Sequence, residues 1–195
     1  MEQFKIYWKL GIQHITDIYA VDNILILLVL TVIFLLKDWK KALIMLTLLT
    51  IGNVLTLTLG VKELFNYNQN LIAYLIPTTI FITSIANLIQ KKDNFSIHRS
   101  VKRNYIFALI FGLIHGLGYA ENLKGILGME NKTFVPLLAV NLGIEIGQMI
   151  IVGIFLLLSS IFIGTFNFNR RDWVMVISSA IAGIALTMMF ESKFW

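Results

Sequence analysis

Apolar residues run along the chain in six blocks, parted by short stretches that collect most of the charge. The blocks cover roughly residues 22–36, 42–60, 71–88, 104–120, 135–164 and 173–190. A helix rises about 1.5 Å per residue, so about 20 apolar residues cross a hydrocarbon core of about 30 Å. The pattern predicts an all-α, polytopic membrane helix bundle with about six transmembrane helices. The first block is short for a crossing, and either borrows Tyr19–Val21 or lies tilted. Ahead of it, residues 3–19 place Phe4, Tyr7, Trp8, Gly11, Ile15 and Ile18 at helical spacing, with Lys5, Lys9, Gln13 and Asp17 on another face. That pattern predicts an amphipathic helix at the membrane interface, with Tyr7, Trp8 and Tyr19 at headgroup level.

Polar residues inside the apolar blocks change the picture. Each is costly in lipid unless it faces protein, so each points into the bundle. In the second block Asn53 lies between Thr50 and Thr56, all three on one helical face. The third block carries Pro77, which predicts a kink, and then Ser84 and Asn87. The fourth places His115 between Gly112 and Gly116, small residues that let a neighbouring backbone approach. The fifth aligns Asn141, Glu145 and Gln148 at helical spacing, with Gly143 and Gly147 as a second small-residue pair. Glu145 is the carboxylate set deepest in any block, and it must be either protonated or partnered there. Asp22 opens the first block, where a carboxylate suits the helix dipole as well as it suits a ligand role. His98 sits among cations in a connecting loop and reads as a surface residue.

Composition agrees with the pattern. The 195 residues are 57% hydrophobic and only 14% charged, with a mean hydropathy of +0.80. A soluble domain of this length could not bury so much apolar surface, so the whole chain reads as one membrane domain partnered by the bilayer. The net charge of +5 implies no nucleic-acid partner, because the basic residues sit in short loops where they set orientation. Lys37, Lys40, Lys41, Lys91, Lys92, Arg99, Lys102, Arg103, Arg170 and Arg171 fall on one side. Lys5, Lys9, Lys62, Lys124, Lys132 and Lys193 fall on the other, with both termini. The richer side belongs in the cytoplasm, which places both termini outside it. The amphipathic start lacks a small-residue cleavage site, so no cleavable signal peptide is expected. With no cysteine, a metal would need imidazole, carboxylate, amide or water ligands.

Four segments together resemble one family. Gly11-Ile12-Gln13-His14-Ile15 followed by Asp22-Asn23-Ile24-Leu25 resembles the "HI…DHILF" opening of the HupE/UreJ family of small membrane proteins. Residues 49–57 resemble its "FT-x-GHS-x-TL" stretch, residues 111–120 its "FGL-x-HG-x-G-[FY]A", and residues 141–148 its "FN-x-G-V-E-x-GQ". The matches occur in order over nearly the whole chain and point to the branch lacking a soluble domain. The resemblance implies a bacterial inner-membrane protein, a permease for a divalent cation of the nickel or zinc type. His115 and Glu145 would then form the intramembrane metal site, with Asp22 and His14 at its mouth. Asn23, Asn53, Thr50, Asn141 and Gln148 would give polar support along the path. Two of the family's histidines are absent, since Asn23 and Asn53 stand in their places. An amide is a weaker ligand than an imidazole for such an ion. That loss leaves a second reading, a non-catalytic accessory subunit working as a homo-oligomer or with a membrane partner. A third is an intramembrane enzyme using a metal or an acid–base pair, although no serine or cysteine nucleophile supports it.

Overall fold

The computed structural model describes residues 2–64, 66–89, 97–127 and 134–193, with the side chains of 97–100 excepted. His98, Arg99 and the loop cations Lys91, Lys92 and Lys132 therefore lie outside the described residues or side chains. Among the described residues the elements are helical: α1 (Glu2–Thr16), α2 (Val21–Thr31), a short 3-10 turn (Leu36–Asp38), α3 (Trp39–Val61), α4 (Gln69–Leu88), α5 (Ile97–Leu127), α6 (Phe134–Gly164) and α7 (Arg170–Glu191). The helices α3 to α7 are each long and apolar enough to cross a membrane. A sixth crossing is available only if α1 and α2 act together, as a pair bent by 70°.

That pair is where the structure departs most from the sequence pattern. The first span was expected to run to residue 36, but α2 ends at Thr31. Residues 32–34 continue without helix although all three are almost completely buried. Non-helical backbone at such depth survives only where protein satisfies its polar groups. The Asn87 amide of α4 donates to the Val29 carbonyl at 2.9 Å, and the Asn104 amide of α5 donates to Leu30 at 2.9 Å. Arg170 of α7 donates to the Ile33 carbonyl, and the Leu36 amide donates to Ser160 of α6 at 2.8 Å. Arg103 in turn holds Asn87, donating to its side-chain oxygen at 2.7 Å. Asp38, which pairs with Lys41 at 2.8 Å and Arg170 at 3.4 Å, ties the same end together.

The apolar face of α1 meets protein. Tyr7, Gly11 and Ile15 are buried, and the helix packs along α6. A Cβ built at Gly11 would strike the Val140 carbonyl, and one at Gly143 would strike that of Trp8, so the two backbones touch. The α3–α5 pair uses the same device. A Cβ at Gly112 would strike the Leu49 carbonyl, and one at Gly116 would strike both Thr56 and the Asn53 carbonyl. Van der Waals contact drives helix association in lipid, and small residues allow that contact to be close. Pro77, expected to kink the third span, is buried within α4, and the helix continues to Leu88. Outward-facing Ile146, Ile150, Ile154, Leu157 and Ile161 give α6 an exposed apolar stripe.

Gly112→Ala should lower stability by at least about 1–3 kcal/mol, the usual cost of overpacking, because the obstacle is backbone. Gly153→Ala has open space around it and should be neutral or slightly stabilising. Thermal unfolding of the purified variants in detergent compares the two directly.

Candidate functional site

Five helices bring polar side chains to one small cavity. It is lined by His14 from α1, Asn23 from α2, Asn53 from α3, His115 from α5 and Gln148 from α6. Ile15, Ile26, Leu27, Leu49 and the bare backbone of Gly112 complete its walls. The cavity volume is about 20 Å³, room for one water-sized group. Its position follows from the backbone contacts already described. The Gly11–Gly143 contact sets α1 against α6, and the Gly112 and Gly116 contacts set α5 against α3.

His14 lies in the last turn of α1, and its ring stacks on Tyr119 with centroids 3.7 Å apart and planes 15° off parallel. Asn23 is in the first turn of α2, beyond the bend, and its amide donates to the His14 carbonyl at 3.2 Å. Asp22, beside it, is half-buried, and its carboxylate is near enough to act electrostatically on both His14 and His115. The amides Asn23, Asn53 and Gln148 are all buried. Nε2 of His115 is buried with no hydrogen-bond partner. An unpaired imidazole nitrogen beside a water-sized cavity is a polar atom left available for a ligand. Two imidazoles and three amides in apolar surroundings form a neutral donor set, with Asp22 as the nearby negative charge.

Glu145 belongs to a different space. It is half-buried at the end of a groove between α3 and α6, lined also by Thr50, Val54, Thr58, Lys62, Asn141 and Leu142. The structure therefore does not bring His115 and Glu145 to one cavity, although the sequence reading joined them; His14 is the ionisable side chain that lines the cavity with His115. Thr50 and Gln148 mark the partition. Thr50 faces the groove, Gln148 faces the cavity, and the threonine hydroxyl donates to the glutamine oxygen at 3.4 Å. Among the described residues, no group of three or more His, Asp or Glu is placed to hold a metal ion. Gly147, the last of the small residues singled out by spacing, packs against Ile15.

Two contributors were missed from the sequence. Tyr119 follows His115 by one helical turn, so its place on the same face was readable, but nothing indicated that it would stack on the first histidine. Thr47, whose hydroxyl donates to Glu145 at 3.4 Å, carried no signal beyond its spacing from Thr50.

The histidine positions of the resemblance converge, while Glu145 stays apart. His14, Asn23, Asn53 and His115, the two retained and the two substituted histidine positions, all line the one cavity. A protein-family model described as HupE / UreJ protein matches residues 1–192. No curated protein and no solved structure matches the chain.

Tyr119→Phe should fold like the parent, since stacking on His14 needs only the ring. Tyr119→Ala should cost about 3–5 kcal/mol, combining a lost buried aromatic with the void it leaves. Denaturant or thermal unfolding followed by tryptophan fluorescence measures the difference.

Proposed function

The chain belongs to the HupE/UreJ family, and from that membership and the geometry of its cavity we propose that it is a permease for a divalent transition-metal ion of the nickel type. The observation that carries the reading is the His14–His115 cavity at the bend of a broken helix. Broken helices in transporters expose polar backbone and side chains at the depth where the substrate pauses. Imidazole nitrogen suits nickel, cobalt and zinc, while amide oxygens are weaker ligands for these ions. A cavity of about 20 Å³ has no room for a hydrated ion, so the ion would have to shed most of its water to enter. Five neutral donors would replace part of that shell. With Asp22 the nearest compensating charge, binding would be weak enough to release the ion again.

The size of the histidine cavity argues against its acting on an organic substrate, since nothing larger than an ion or a water fits there. A non-catalytic role finds its support in Asn23, whose amide already bonds the His14 carbonyl and can serve as structure alone. In the orientation proposed here, the end bearing Lys37, Lys41, Arg103 and Arg170 faces the cytoplasm of a bacterial inner membrane.

Nickel uptake into proteoliposomes that enclose a metal-sensitive dye separates the readings. The parent protein should transport, and His115→Ala should reduce uptake by roughly tenfold or more, the scale seen when a metal site loses a tuned contact. Asn53→His should add an imidazole, so that purified protein retains more nickel while turnover slows. Uptake by none of the proteins, from correctly folded samples, would favour the accessory role. Equal uptake by parent and His115→Ala would remove the cavity from the path.

A further inference from the structure

The groove between α3 and α6 has a polar inner end that the metal cavity does not use. Glu145 closes it, and among the described residues no cation pairs with this carboxylate. Its hydrogen-bond contact is the Thr47 hydroxyl at 3.4 Å, whose one proton is shared with the nearer Leu43 carbonyl at 3.1 Å. One turn earlier on α6 lies Asn141, only 7% exposed. Its amide nitrogen donates to the Leu137 carbonyl at 2.7 Å, which leaves its side-chain oxygen buried with no partner. Side chains one helical turn apart stand about 5–6 Å from each other, near enough for one ion to touch both. Thr50 faces the same space from α3. Lys62, at the other end of the groove, is three turns along α3 from Thr50, about 18 Å by helical rise, and too far to neutralise Glu145.

These groups share a chemistry. All the free donors are oxygens, which select hard cations over nickel-type ions. They include a single carboxylate, so one positive charge makes the site neutral, whereas a divalent ion would leave net charge in apolar surroundings. An unpaired carboxylate and an unpaired amide oxygen at this depth both gain from such an ion. We propose that Glu145, Asn141 and Thr50 bind one alkali-metal cation of the sodium type. This second site is separated from the histidine cavity by the Thr50–Gln148 hydrogen bond. Because Thr50 touches the cation and Gln148 faces the transported metal, occupancy of one site alters the donors offered at the other. That coupling rests on the permease reading; binding of the alkali cation does not.

Binding of radiolabelled sodium to the purified full chain, with choline as the replacement cation and at neutral and alkaline pH, tests the site. Saturable binding at one ion per chain is expected in the parent and in His115→Ala, but lost in Glu145→Gln. The His115→Ala arm keeps this test independent of the metal reading, since the histidine cavity can fail while sodium still binds. Circular dichroism and gel filtration of Glu145→Gln exclude misfolding, and Asn141→Leu provides a second variant with at least tenfold weaker binding expected. Binding that persists in Glu145→Gln would overturn the assignment. So would the absence of saturable binding at both pH values, which would mean that a proton alone neutralises the carboxylate.

Discussion

A helix that stops inside apolar surroundings must find partners for its last carbonyls, and this fold is organised around that requirement. The end of α2 is supplied from three other helices: Asn87 of α4 and Asn104 of α5 take the carbonyls of Val29 and Leu30, and Arg170 of α7 takes that of Ile33. Each donor is a side chain whose burial would be unfavourable without an acceptor, and each acceptor would be unfavourable without the donor. The polar residues of α4, α5 and α7 at this end thus exist largely to let one chain segment leave helical geometry early. A full-length first span would have carried α2 straight through the bundle. The bend ahead of α2 is a separate feature, and it places the end of α1 beside the start of α2, where Asn23 bonds the His14 carbonyl.

The glycines turn that bend into a site. Contact between the α1 and α6 backbones at Gly11 and Gly143 brings His14 and Gln148 to one cavity. Contact between α3 and α5 at Gly112 brings Asn53 and His115 to the same place. Neither pair of helices alone encloses the cavity. It needs α2 between them, supplying Asn23 and the apolar walls Ile26 and Leu27. Helix packing and cavity lining therefore meet in a few residues, and a bulkier side chain at Gly112 would both part the helices and fill the cavity.

Much of this was legible in the chain. The long apolar blocks announced α3, α6 and α7, and the histidine flanked by glycines announced close packing around His115. The break between α1 and α2 was harder, because the periodicity of α1 suits a headgroup layer and a protein neighbour equally well. Only Gly11, with no side chain to offer lipid, hinted at a backbone partner. The separation of Glu145 from Gln148 was not legible either. Spacing puts both on a similar side of α6, but it cannot say on which side of Thr50 each will pass. Asn87, Asn104 and Arg170 were visible as polar residues near span ends, whereas their shared task depends on where α2 stops, which no local pattern specified.

On the permease reading, the bent α1–α2 pair places His14 and His115 on a single ion. X-ray absorption spectroscopy of the nickel-loaded protein reads that coordination directly. The expected spectrum shows two imidazole ligands with the remaining scatterers oxygen, and it loses one imidazole in His14→Ala or His115→Ala. A nickel shell of oxygen alone, unchanged by either substitution, would contradict it.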